Sequence, residues 1–191
     1  MTDPTSFDLA KNGEYAAALS AAEIALTALR QQPNPDAAKI ANAINDVGVA
    51  QHMLGRLAEA AESYGQAWTY ASTTADHQTR GIVLSNQAEV ACHLGNGVLP
   101  IALLDQAEAE FAETGPLPSS FVCGITLTRA IAAGLRGEPN LAEEFLLQGL
   151  AVLRQLGDPH SERKLLIELA NLYEKSGADE AARSIREQLS P

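Results

Sequence analysis

Cysteine, aromatic side chains and positive charge are all scarce in this sequence, and each scarcity excludes something. Two cysteines, Cys92 and Cys123, cannot build a disulfide framework, so both read as reduced thiols of a cytoplasmic protein. Aromatics make up 5% of the chain, and no stretch sustains the alternation of β-branched or aromatic residues that marks strands. Lys and Arg number 13 against 24 Asp and Glu, a formal net charge of −11. Nucleic acids and anionic membrane surfaces both require a basic face, so neither is an expected partner. No apolar run approaches the length of a membrane span, and the opening MTDPTSFDLA lacks the basic-then-apolar order of a signal peptide.

What remains is rich in alanine, within a hydrophobic fraction of 46%. Alanine is the best helix former, and its small side chain suits helices that approach closely. The expected class is all-α, and 191 residues suffice for one domain, spanning 1–191.

Glycine then supplies a ruler. The junctions KNGEYAAAL, MLGRLAEAA, HLGNGVLPIAL, LRGEPNLAEE and KSGADEAAR place Gly13, Gly55, Gly95, Gly137 and Gly177 at spacings of 42, 40, 42 and 40 residues. A glycine inside a helix costs about 1 kcal/mol against alanine, so each marks a break. Small residues recur on the same ruler. Five positions after the glycine stand Ala18, Ala60, Pro100, Ala142 and Ala182; twelve after it stand Ala25, Ala67, Ala107 and Gly149. Seven before it stand Gly48, Ala88, Ala130 and Ala170. Larger residues surround them, such as Ile44, Val47, Tyr64, Trp68, Leu166 and Tyr173. The unit is helix, glycine turn, helix, with small residues where the two helices touch. Between units, Asp36, Asp76 and Asp158 precede amphipathic runs and are expected N-caps; in the fourth unit Ser119 or Ser120 is expected in that role. Pro100 and Pro139 fall in first helical turns, where proline is tolerated.

With the small–Gly–small ruler, DVG at 46–48 and LANLYEKSG at 169–177, the chain resembles the tetratricopeptide repeat (TPR) family. The usual repeat is about 34 residues, whereas the spacing here is 40–42. Long repeats of this kind are similar to those of kinesin-light-chain-like proteins and of the sensor ends of bacterial regulators. The resemblance covers about residues 7–189 and implies a right-handed α-solenoid of about five helix hairpins, the first truncated. It also implies a concave groove lined by the first helix of each unit. Stacked repeats need polar ends, and no separate capping helix follows the fifth unit. Its end is therefore a candidate homo-oligomer contact, and Arg186 in its second helix suggests a one-residue slip.

Counting ten, nine, six and three residues back from each turn glycine names the implied groove positions. In the second unit they are Asn45, Asp46, Val49 and His52; in the third, Ser85, Asn86, Glu89 and Cys92, with His93 adjacent. In the fifth they are Ile167, Glu168, Asn171 and Glu174. Asn45, Asn86 and Asn171 are the leading peptide contacts, because an amide both donates and accepts and so pairs with a peptide backbone. The alternative is that they bond locally. The fourth unit has two registers. One puts Thr126 and Arg129 in the core and Leu127 and Ile131 on the groove, giving an apolar or anion contact there. The other moves Ile125 and Leu135 inward and leaves Arg129 paired with a carboxylate near the packed side.

Catalysis is not expected. The chain has no H-E-x-x-H or C-x-x-C spacing, no phosphate loop and no nucleophile elbow, so neither a metal nor a cofactor is implied. Glu89 and His93, one helical turn apart, read as a surface pair. The sequence points to a non-catalytic adaptor that binds a protein or peptide, with an acidic rim favouring basic segments. The other reading is a module that senses a small molecule or signalling peptide in a bacterial regulatory system.

Overall fold

In a computed structural model, residues 5–190 are described, and they form ten helices with no strand among them. These are α1 (Ser6–Lys11), α2 (Tyr15–Arg30), α3 (Ala37–Met53), α4 (Leu57–Ala71) and α5 (His77–His93). They continue as α6 (Leu99–Ala112), α7 (Ser119–Leu135), α8 (Pro139–Leu156), α9 (Pro159–Ser176) and α10 (Asp179–Leu189). Each odd helix packs against the even helix that follows it, and each even helix against the next odd one.

The five ruler glycines lie in these hairpin turns with φ between 73° and 83°, left-handed backbone that only glycine adopts cheaply. At Gly55 the reversal closes with two bonds: its N–H donates to His52 O at 2.9 Å and the Arg56 N–H donates to Gln51 O at 2.9 Å. The small columns are contact points. Ala18, Ala60, Pro100, Ala142 and Ala182 are all buried, as are Gly48, Ala88, Ala130 and Ala170. Gly48 shows why a side chain is excluded: a Cβ there would stand 2.6 Å from Cε1 of the buried Tyr64 ring.

Three expectations need correction. Ala25 is exposed, unlike Ala67, Ala107 and Gly149 in its column. That column faces the first helix of its own hairpin, as Gly149 does Thr126, and α1 is too short to reach over Ala25. Asp36, Asp76 and Asp158 do cap α3, α5 and α9, accepting first-turn N–H groups. Neither Ser119 nor Ser120 caps α7, however. Pro118 occupies the cap position, and Ser119 Oγ donates instead to Asp158 Oδ2. The last hairpin has no slip: Ala182, Ile185 and Leu189 are buried on one stripe of α10, and Arg186 reaches back to Glu174 at 3.1 Å.

Odd helices touch one another in succession, α1 to α3, α3 to α5, α5 to α7 and α7 to α9. No such contact joins successive even helices among the described residues. A two-row stack whose first row is close and second row splayed must bend toward the first row, so the odd helices form the concave face. The exposed face of α10 is polar, carrying Glu180, Arg183, Ser184, Glu187 and Gln188. No described helix is long and apolar enough to cross a membrane.

Candidate functional site

A concave pocket of about 350 Å³ lies where α1, α3, α5 and α7 come together. Its apolar part comes from Phe7, Val49, Ile82 and Phe121, and its polar part from Ser6, Asn42, Asn45, Asp46 and Asn86. Phe7 is 71% exposed, an unusual state for a phenylalanine and an open wall for this pocket.

Side chains about forty residues apart stitch the odd helices together. The Asn86 amide donates to Asn45 Oδ1 at 2.8 Å, and Ser6 Oγ donates to Asp46 Oδ2 at 3.0 Å. Thr79 Oγ1 donates to Asn42 Oδ1 at 3.1 Å. At the turn end of the same face, His52 Nε2 and His93 Nδ1 lie 2.7 Å apart, and Glu89 sits beside them. Two of these four contacts pair like with like, amide to amide and imidazole to imidazole, and two pair a hydroxyl with a side-chain carbonyl or carboxylate.

The electrostatics follow from this burial. Desolvation raises the Asp46 carboxyl above its ordinary value, and the Ser6 hydroxyl bond only partly opposes it. No cationic side chain stands within ion-pair distance of Asp46 among the described residues. Burial lowers His52, Glu89 pulls it the other way, and His93 lowers it further. Cys92 is buried with its thiol 3.5 Å from Thr128 O, and burial pushes it up to about 11. Burial raises Cys123 as well. Both thiols are protonated at neutral pH, which makes them poor nucleophiles.

The residues named from sequence divide accordingly. Asn45, Asp46 and Asn86 share the pocket, although Asn45 is buried and its carbonyl is spent on Asn86 rather than facing solvent. His52, Glu89 and His93 share a second cluster on the same face. Ser85 bonds its own helix at Gly81 O. Asn171 stands apart, donating to Glu168 and accepting from Arg186 at 2.6 Å. In the fourth unit Leu127 packs against the C-terminal core instead of facing the groove, whereas Ile131 lines a cleft bounded by α7, α8 and α9. Arg129 points the other way. Its guanidinium meets Asp105 and Glu108 of α6 and lies 5.7 Å from the Phe145 ring, so no positive charge is left for an outside anion. Neither register describes α7 fully: Ile125 and Thr126 are both buried, while Leu135 is 48% exposed.

Sequence reasoning missed Phe7, Asn42, Ile82 and Phe121. Asn42 and Ile82 were within reach, since both lie thirteen residues before their turn glycine, one helical turn back along the stripe already counted.

No protein-family model matches the chain, and no curated protein matches it significantly. Solved structures do. A crystal structure of Podosopora anserina putative kinesin light chain nearly identical TPR-like repeats aligns with a TM-score of 0.73 and 21% identity, covering 96% of this chain and 89% of that one. A substituted form of the same protein gives a TM-score of 0.75 at the same identity and coverage. BtubC (BKLC) from P. vanneervenii aligns with a TM-score of 0.80 and 17% identity over 96% of this chain and 75% of its own. At these identities the likeness is one of fold, and the chain folds as an all-α, TPR-like solenoid of five hairpins with a short first one.

Proposed function

We propose that this protein is a non-catalytic scaffold that holds a protein or peptide segment along the concave face of α1, α3, α5 and α7. The observation that carries this reading is the pocket itself, where an apolar wall of Phe7, Ile82 and Phe121 adjoins Asp46 and Asn86. An apolar side chain of the bound segment fits against the wall. The Asn86 carbonyl oxygen accepts a backbone N–H while its amide stays on Asn45. Asp46 selects for charge: a half-buried carboxylate without an ion-pair partner gains most from a lysine or arginine brought by the ligand. The net charge of −11 adds a long-range attraction for such basic segments.

A photo-crosslinking amino acid placed at Ile82 tests this, with one at the exposed Ala25 of α2 as the control. Crosslinks to a specific protein from position 82, abolished by Asp46→Lys, are expected. Crosslinks from position 25 alone would move the interface to the outer face. The sensing alternative has its own location, a cleft of about 500 Å³ between α6, α7 and α8 that includes Leu117, Val122 and Phe145. Its size and apolar lining suit a small molecule. A metabolite that protects this cleft, and not position 82, would favour that reading.

A further inference from the structure

We infer that His52, Glu89 and His93 form a binding site for one divalent transition-metal ion of the zinc class. The inference does not rest on peptide binding by the groove. Two ring nitrogens from different helices, His52 Nε2 on α3 and His93 Nδ1 on α5, converge to 2.7 Å, and a Glu89 carboxylate oxygen completes a set within 4.8 Å. Such convergence is unusual for a plain surface pair, since nothing in helix packing requires two imidazoles to aim at one point. In tetrahedral zinc sites the metal lies about 2.0–2.1 Å from nitrogen and about 2.0–2.2 Å from carboxylate oxygen, so neighbouring ligand atoms stand roughly 3.4 Å apart. The imidazoles need to part slightly and the carboxylate to close in. Glu89 and His93 are exposed and have the freedom to do so.

The scaffold suits the task. Glu89 and His93 are one helical turn apart on one face of α5, and the buried Cys92 beside them anchors that turn against α7. Without metal, one ring must donate its N–H to the other. Metal binding requires that proton to move to the far nitrogen of the same ring, a change of tautomer, and both lone pairs then meet the ion. A donor set of two imidazoles and one carboxylate matches zinc, cobalt, nickel or copper better than calcium or magnesium, which prefer all-oxygen sites. Three protein ligands leave a coordination position open to water or to a donor atom from a bound partner.

The test is a titration of tag-free, chelator-stripped protein with zinc by calorimetry, and with cobalt by visible absorption. Wild type is expected to bind one ion saturably and to give the intense ligand-field bands of a tetrahedral cobalt site. His93→Ala should weaken binding by more than about a hundredfold, beyond the 10–100-fold typical of losing an outer-shell partner. Glu89→Gln should weaken it about tenfold or more, on the same scale. His160→Ala, a surface histidine on α9, should leave it unchanged. Both ligand substitutions are at exposed positions, and unchanged helical circular dichroism verifies that the variants fold. Absence of saturable binding by wild type, or equal binding by wild type and the two ligand variants, would overturn the inference.

Discussion

The concave row is built from two kinds of contact, which differ in the side chains that meet. Between α3 and α5 the meeting side chains are polar: the buried Asn45 with Asn86 at the pocket, and His52 with His93 nearer the turns. Between α7 and α9 they are spent on structure. Cys123 lies 3.8 Å from Ser161 O, and Ser119 donates to the carboxylate that caps α9. On its other side, Arg129 ties α7 to α6. The same forty-residue repeat therefore fixes helix positions everywhere but leaves surface chemistry to be chosen unit by unit. Here that choice places two amides, two imidazoles and the Glu89 carboxylate on the facing helices of the second and third units.

The strongest way to break this contrast is through the hairpins beneath it. In the second unit a glycine on the first helix receives a ring from the second, Gly48 under Tyr64; in the fourth the roles reverse, and Gly149 receives Thr126. Tyr64 is 1% exposed. Tyr64→Ala is expected to cost about 3–5 kcal/mol in a urea melt, the range for deleting a large buried ring. A loss below about 1 kcal/mol would show that the hairpin packs without it. Gly48→Ala should be destabilising alone and nearly neutral when combined with Tyr64→Ala, because the clash disappears with the ring.

A smaller effect sharpens the other half. Hydrogen bonds from Ser119, from Ser161 and from first-turn N–H groups hold the Asp158 carboxyl well below its ordinary value of 3.8. A carboxyl held low in the folded state adds stability that is fully present above 3.8 and is lost as pH falls below it. Asp158→Ala should therefore lower the melting temperature at neutral pH. The gap to wild type should shrink in acid; a pH-independent gap would mean that the cap works by shape and not as a carboxylate.

Much of this architecture can be read from sequence because the ruler samples one contact several times over. A single buried alanine means little, whereas five residues at one offset from five glycines identify a helix–helix contact. The surface has no such redundancy. Asn45 and Asp46 are neighbours in the count but about 100° apart on the helix. That is enough to turn one toward α5 and leave the other on the pocket. The third row back from the glycine holds the half-exposed His52 in α3 and the buried Cys92 in α5, so His52 meets His93, one position further on. Ser119 shows the same limit, since its choice between capping α7 and bonding Asp158 depends on where α9 lies.

The finest test concerns Asp46, where groove chemistry and stability are expected to conflict. Burial raises its carboxyl above the ordinary value of 3.8, so between that value and its folded one the native state holds more proton than the unfolded chain. Stability must then fall as pH rises through this window, and at neutral pH the charged carboxylate is a net cost. Asp46→Asn keeps an oxygen to accept from Ser6 and removes the charge. The melting temperature should rise by about 1–3 °C at neutral pH, the scale of a fraction of a kcal/mol for a chain of this size. The gain should vanish below pH 3.8, where both forms are neutral. The same substitution should weaken capture of a basic segment, since the charge that destabilises the fold is the one the ligand pairs with. If Asp46→Asn stabilises the protein and leaves binding intact, the carboxylate is not part of the recognition surface. If it does neither, solvent already satisfies the group. Only a gain in stability coupled to a loss of binding marks Asp46 as a residue retained for function at the expense of the fold.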